Sequence, residues 1–354
     1  MAKKVTMQQI ADYMGVSKFV VSKALSGKGG VSESTKEKVI KAAAQLGYFA
    51  NTKPYLPPRL SDASPEGASK QSVLVLMPNV RFQTKESLYW GRILDGIKAR
   101  LEAAGLGMMI VMEQSADHLL QALNPNGILG LIGVGEISSS VLLEVRRLHV
   151  PFVLVDHEDG LIPSDTVFVN NYDSMHRLTN HLIGIGHSRL MFVGDPRYSR
   201  SFYDRWTGFR SAVEEQGLVS DTSASLLIRL EGYEVFGEQI REAFESLRRR
   251  KAMPTAFVCA NDTIALDTIQ VLQQMGYKVP ADVSVSGFDN IENSYRTTPS
   301  LTTVNVPKEL MGARAVEKLF ERVSRNEDVT EKLLLSGEVM FRESTAGAVK
   351  TDNA

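Results

Sequence analysis

The sequence predicts a small all-α helix-turn-helix headpiece joined to an α/β body of two Rossmann-like subdomains with parallel sheets. Three observations carry that expectation. Residues 1–60 hold ten basic and three acidic side chains, a net charge of +7, whereas the remainder holds 30 and 38, a net of −8, so the total of −1 conceals a polarised chain. The first 50 residues carry three short helical patterns, each closed by a glycine. From residue 73 onward, short β-branched runs alternate with helix-length segments, the pattern of right-handed βαβ crossovers.

Composition narrows the class. The chain has 354 residues, 43% hydrophobic and 23% charged, which suits a globular protein of two or three domains at roughly 150 residues each. A single cysteine, Cys259, excludes an intrachain disulfide framework and a multi-cysteine zinc site, and favours a reducing compartment. The N-terminal Met-Ala-Lys-Lys-Val-Thr-Met has no apolar core behind its lysines and does not read as a secretory signal. No apolar run approaches the roughly 18 residues that span a bilayer. The expected location is cytoplasmic, with no membrane partner.

The basic segment has a readable order. Thr6 is a favourable N-cap, and Met7, Ile10, Ala11 and Met14 repeat behind it at helical spacing until Gly15. Ser17 caps a second helix whose buried face is Val20, Val21, Ala24 and Leu25; Gly27, Gly29 and Gly30 break it. Ser32 or Ser34 opens a third, with Val39, Ala42, Ala43 and Leu46 apolar, and Gly47 stops it. Two short helices around a tight turn bury too little surface to hold their geometry, so the third is a physical requirement of the motif.

Val5-Thr-Met-Gln-Gln-Ile-Ala-Asp-Tyr-Met-Gly-Val-Ser, Val21-Ser-Lys-Ala-Leu-Ser-Gly, Val31-Ser-Glu-Ser-Thr-Lys-Glu-Lys-Val and Leu46-Gly-Tyr together resemble the headpiece of the LacI/GalR family of bacterial transcription regulators. The resemblance covers nearly all of residues 4–51 and implies binding to double-stranded operator DNA. A recognition helix presents its N-terminal residues to base edges in the major groove. Here these are Lys18, Phe19 and, one turn on, Lys23; lysine donates to guanine O6 and N7, and Phe19 suits a thymine methyl. The resemblance places Thr6, Ser17, Ser22, Ser32, Thr35 and Asn51 at phosphate-gripping positions, which set register rather than sequence. Lys23 stands where the family commonly has arginine, and Phe19-Val20-Val21 is more apolar than usual, so a relative's operator does not transfer.

Residues 51–72 are expected to form a hinge or linker. The family opens a minor-groove hinge helix here, but Pro54, Pro57 and Pro58 oppose a regular helix. Leu56 is a candidate minor-groove wedge; the rival reading, a plain extended polyproline-like spacer, is preferred. Kinking of operator DNA is expected to be weak or absent, which a circular-permutation gel shift measures.

In the body, candidate strands are 73–77, 108–112, 128–132, 152–155, 167–169, 190–193, 225–228, 256–259 and 283–287. Candidate helices are 88–104, 139–148, 172–185, 205–215, 233–248 and 263–275. The strand pattern restarts near residue 165. Pro151-Phe-Val-Leu-Val-Asp156, Arg205-Trp-Thr-Gly-Phe, Pro254-Thr-Ala-Phe-Val-Cys-Ala-Asn-Asp262 and Pro280-Ala-Asp-Val-Ser-Val-Ser-Gly-Phe-Asp289 resemble the effector core of the same family, which is periplasmic-binding-protein-like with two lobes. That implies a headpiece at 1–50, a core at 73–344 (N-lobe about 73–160 and 290–322, C-lobe about 161–289 and 323–344) and a tail at 345–354.

Ligands of open α/β sheets bind beyond the carboxyl ends of strands, here in the cleft between lobes. Asp156, Asn261 and Asp289 each follow a strand and suit the hydroxyls of a sugar. Ser201 and Arg205 match effector positions of relatives, Arg205 as a bidentate fork; Tyr89, Trp90 and Tyr233 are candidate wall residues. Arg81, Lys85 and Lys308 raise an acidic effector as an alternative, a phosphorylated metabolite or a purine. The structural readings beside these are a helix cap for Asn261-Asp262, a turn for Asp289-Asn290 and solvated charge for the lysines.

The six histidines lack His-Glu-x-x-His spacing and there is no Gly-x-Ser-x-Gly elbow, so no catalytic, metal or cofactor site is expected. The combined expectation is a ligand-responsive, homodimeric repressor of a carbohydrate-use operon, in which effector binding closes the lobes and alters headpiece spacing. The alternative of another class is a two-lobe sugar-binding protein with a non-functional headpiece.

Overall fold

A computed structural model describes residues 5–26, 31–46, 48, 72–80, 83–112, 127–218, 226–232, 236–324 and 329–348. The linker, Asn51, Leu56, Arg81 and Tyr233 lie outside these residues.

Three helices open the chain: α1 (Met7–Met14), α2 (Lys18–Ser26) and α3 (Glu33–Gln45). Thr6 Oγ1 accepts from Gln9 N at 3.3 Å while Gln9 Oε1 accepts from Thr6 N at 2.9 Å, a reciprocal capping box that satisfies two free amides. Gly15 takes φ 65°, the left-handed C-cap that lets the chain turn into α2. Ser17 caps α2 through Val20 N, and Ser32 caps α3 through Thr35 N, both at 3.3 Å. Ile10, Ala11, Val21, Ala24, Leu25, Val39, Ile40, Ala42 and Ala43 are buried, the apolar residues that helical spacing selects together with Ile40.

The chain then divides by contact into two units, 1–167 with 309–333 and 168–308 with 334–354. In the first, β1 (Ser72–Leu76), α4 (Trp90–Ala103), β2 (Gly107–Val111), β3 (Ile128–Val134), α5 (Ser139–Arg147), β4 (Phe152–Val155) and β5 (Asp165–Val169) follow in order. The second contributes α6 (Asn171–Gly184), β6 (Leu190–Val193), α7 (Arg200–Glu215), β7 (Leu227–Ile228), α8 (Gly237–Arg249), β8 (Ala256–Cys259), α9 (Asp262–Gln274), β9 (Ser284–Asp289), α10 (Glu292–Arg296) and β10 (Thr302–Asn305). Then come α11 (Lys308–Ser324), β11 (Lys332–Leu335) and β12 (Glu338–Met340).

The two sheets repeat one topology, β11-β5-β4-β3-β1-β2 and β12-β10-β9-β8-β6-β7. The pairings of β1 with β2 and β3, of β3 with β4 and of β4 with β5 are parallel, as are those of β6 with β7 and β8, of β8 with β9 and of β9 with β10; β12 runs antiparallel to β10. Strands such as Val73–Leu76 and Ala256–Cys259 are buried on both faces, which explains their unbroken apolar runs.

The unit boundaries fall later than those expected at 160, 289 and 322. β5 belongs to the first sheet rather than opening the second: Val153 pairs with Asp165, whose Oδ1 accepts from Glu331 N at 2.7 Å. Residues 290–308 stay with the second unit because Thr302 pairs with Ser286 in β10–β9. Of the strand expected at 225–228, Leu227–Ile228 form β7, while residue 225 lies outside the described residues. The strands β10 to β12 and the helices α10 and α11 are additions to the expected list; 302–305 and 338–340 are too short and polar to declare a period.

Candidate functional site

Of the three residues expected to read bases, α2 leaves Lys18 and Phe19 exposed and Lys23 half-buried. Lys18 is exposed, and Phe19, a large apolar residue that folding ordinarily buries, is 66% exposed. Lys23 follows one turn later with Nζ 4.9 Å from the Phe19 ring centroid, a cation–π arrangement that joins the two readers. Thr6, Ser17 and Ser32 are exposed at helix N-termini, where capping and phosphate binding draw on the same free amides. Ser22 is half-buried, and Thr35, also half-buried, lies 2.8 Å from Ser32 Oγ through its hydroxyl.

In the first unit, the loop after β1 carries Tyr89 and the chain beyond β4 carries Asp156. The Tyr89 hydroxyl donates to Asp156 Oδ2 at 3.1 Å, bringing two predicted residues together. Trp90 packs edge-on against the Tyr89 ring at 4.8 Å. Asp156 sits at φ 53°, a turn conformation that aspartate tolerates better than most residues. Gln83, which the sequence analysis missed, organises this loop. Its buried amide nitrogen faces the carbonyls of Pro78, Val134 and Glu136 at 3.1–3.3 Å, and its Oε1 accepts from Glu136 N at 2.7 Å. A glutamine in a polar loop gives no periodic signal. Lys85 is an exposed partner of Glu86.

The second unit assembles a denser cluster. Arg205 of α7 is 2% exposed. Its Nε donates to Asn171 Oδ1 and its Nη1 to the Ala260 carbonyl, both at 2.8 Å, while Nη2 lies 3.0 Å from Asp289 Oδ1. The guanidinium also stacks over Phe288 at 3.8 Å from the ring centroid. Three N–H groups of Arg205 are thus directed to partners inside the protein, and the one at Nη2 orients Asp289. Ser201, one turn earlier on α7, is buried at 3% exposure. Asn261 Oδ1 accepts from Ile264 N at 3.0 Å as the cap of α9, so the cap reading holds for that oxygen. Asn171 was not foreseen; it sits one position before the helix expected at 172.

Asp262 lies behind Asp289. It is fully buried; Oδ2 accepts from Ile291 N at 2.9 Å and Oδ1 accepts from the Thr303 hydroxyl. Burial and then the charge of Asp289 push its carboxyl up to about 8. Lys308, expected as a loop charge, is instead 6% exposed, with Nζ donating to the carbonyls of Asp289, Asn290 and Val306 at 2.6, 3.2 and 3.3 Å. His187 bonds to Thr255 Oγ1 and the Ala346 carbonyl at 2.9 and 3.0 Å, a structural role; burial pulls its pKa down. Among the described residues no group of three His, Cys, Asp or Glu side chains is placed to hold a metal, and no helix is long and apolar enough to cross a membrane.

Comparison with known proteins fits this architecture. The lacI-family model of bacterial regulatory proteins matches residues 6–51, and the periplasmic binding protein-like domain matches 179–345. The HTH-type transcriptional regulator MalR of Streptomyces coelicolor is 30% identical over 353 residues, spanning 97% of each chain. The chain belongs to the LacI family. It is a ligand-responsive helix-turn-helix transcription regulator with the two-lobe α/β core of that family. The transcriptional regulator CelR, solved with cellobiose, shares its fold at a TM-score of 0.70 and 24% identity, over 96% of this chain and 100% of that one. The lac repressor dimer bound to operator and the anti-inducer ONPF does so at 0.65 and 24%, over 97% and 100%. Both likenesses concern the fold. LacI-family members are transcription regulators, bind operator DNA and take small-molecule effectors.

Proposed function

We propose that this LacI-family regulator is a homodimeric, cytoplasmic repressor of carbohydrate-use genes, without enzymatic activity, that reads operator DNA through Lys18, Phe19 and Lys23. The observation that carries the DNA reading is the exposure of Phe19 on the first turn of α2 with Lys23 against its ring. An apolar side chain left in water beside a paired cation suits a thymine methyl next to guanine. The hydroxyls of Thr6, Ser17, Ser22, Ser32 and Thr35 serve the phosphates. Asn51 is a further phosphate candidate and Leu56 a minor-groove candidate, both outside the described residues.

The effector is proposed to be a neutral sugar, with Tyr89, Asp156, Ser201, Asn261, Asp289 and Arg205 as its candidate contacts and Tyr233 as a further candidate. Carboxylates that Tyr89 and Arg205 hold in fixed orientation suit pairs of hydroxyl donors. Lys308 Nζ donates to three carbonyls of the protein, which favours a neutral ligand over the acidic alternative. The test is a gel shift of the protein's own promoter fragment, titrated with salt and with neutral sugars. A specific shift that weakens with salt and responds to one sugar is expected; a shift indifferent to sequence and salt overturns the reading.

A further inference from the structure

We propose that Lys308 is a positioning residue, whose buried ammonium holds the Asp289–Asn290 turn in the conformation that presents the Asp289 carboxylate to Arg205. The inference rests on the reading of Asp289 as an effector contact and extends it to a residue that touches no ligand.

Strand β9 ends in an unusual backbone. Asp289 has φ 112° and Asn290 φ 51°, two consecutive non-glycine residues in the left-handed region. Such a pair persists only where surrounding contacts hold it. Asn290 is tied by its side chain: Nδ2 donates to Asn305 Oδ1 at 2.9 Å, and Oδ1 accepts from Arg342 Nη2 at 2.6 Å and from the Ser294 hydroxyl at 3.3 Å. The backbone of the turn is tied by Lys308. The carbonyls of Asp289 and Asn290 converge on Nζ, and Val306 supplies the third. An ammonium has three N–H donors, and three carbonyls match them.

Two features argue that this arrangement serves the turn rather than α11. Lys308 is the first residue of α11, where the helix dipole disfavours a cation. It is also 6% exposed, where an ammonium without acceptors is strongly disfavoured. The carbonyls of the strained turn are what make the position tenable. Its charge also acts on Asp262, the buried carboxyl behind the turn, so one cation serves the whole cluster. The same geometry removes Lys308 from the candidates for binding an anionic ligand.

The test combines a carbon-13 label on the aspartate carboxyls with ligand binding. The Asp289 resonance is assigned by its loss in Asp289→Asn and then followed in Lys308→Met. The resonance is expected to move in folded Lys308→Met. It should return when Lys308→Cys, made on a Cys259→Ser background, is aminoethylated in denaturant and refolded, because this restores an ammonium on a side chain of lysine's length. Should the methionine variant not fold, Lys308→Arg replaces it; a planar guanidinium cannot meet the same three carbonyls, and the resonance is again expected to move. A folded variant whose Asp289 resonance stays in place overturns the proposal.

In parallel, wild type and variant are screened by thermal shift with neutral mono- and disaccharides and with glucose 6-phosphate. Affinity for whichever neutral sugar stabilises wild type is expected to fall on the order of tenfold in Lys308→Met, while sugar-free operator binding is kept. Stabilisation by glucose 6-phosphate that Lys308→Met abolishes would make Lys308 an anion ligand and sink the proposal. If nothing in the panel stabilises wild type, the effector reading of Asp289 falls, and the Asp289 resonance alone decides the role of Lys308.

Discussion

Phe19 and Asp262 are opposite exceptions to the usual sorting of side chains: an aromatic left in water and a carboxylate taken out of it. If Phe19 reads a thymine methyl, Phe19→Ala weakens specific operator binding by about 1–3 kcal/mol while leaving the salt slope unchanged. Fluorescence anisotropy at several salt concentrations separates the two effects. Lys23→Ala acts in both ways if the lysine also meets phosphate, lowering the slope by about one. For Asp262 the sign follows from its raised pKa. The folded chain keeps a proton that the unfolded chain releases, so the favourable contribution is complete below the ordinary value of 3.8 and is lost as pH rises to about 8. Asp262→Asn retains an acceptor for Ile291 N and gives Thr303 a donor, so its melting temperature should decline less between pH 5 and pH 8 than that of wild type. An unchanged pH profile would mean that Asp262 is an ordinary ionised carboxylate. The sequence made Phe19 legible because the motif fixes its position. Asp262 was visible only as a helix-start acid, since nothing local records that Ile291 and Thr303, far along the chain, would enclose it.

The elements were the most legible scale, because their signals are local. Thr6, Gly15, Ser17 and Ser32 marked the ends of the headpiece helices through capping chemistry, and Thr6→Ala is expected to remove about 1 kcal/mol of stability, measured by urea unfolding. Close approaches between helices left no comparable mark. A Cβ on Gly96 of α4 would lie 1.9 Å from the Glu309 carbonyl oxygen, and one on Gly312 of α11 would lie 2.1 Å from that of Ile93. These two helices touch backbone to backbone within the first unit, yet they stand more than 200 residues apart in sequence. Gly312→Ala should therefore destabilise by about 1–3 kcal/mol, the usual effect of overpacking, although alanine is the better helix former. A neutral or stabilising result would show that propensity outweighs the contact. The late strands β10 to β12 were missed for the same reason, since partners distant in sequence define them.

At the scale of the whole molecule, the near-neutral total divides into a +7 reader and a −8 body, which directs phosphate contact to the headpiece. Duplicate sheets follow it, each placing polar residues at a strand end: Asp156 just after β4, Asn261 shortly beyond β8 and Asp289 as the last residue of β9. The doubly wound architecture was legible from the alternation of strands and helices. The division into units was less so, because the points where the chain crosses between them depend on pairings such as Thr302 with Ser286. This regulator's grip on its operator is proposed to answer to a small molecule. The most direct measurement is the affinity of the full chain for its own promoter DNA, by anisotropy at physiological salt, with and without each sugar of a neutral panel. Specific binding is expected to weaken steeply with salt and to change by at least about fivefold with one sugar. Binding that is insensitive to sequence and salt, and unmoved by every sugar, would contradict it.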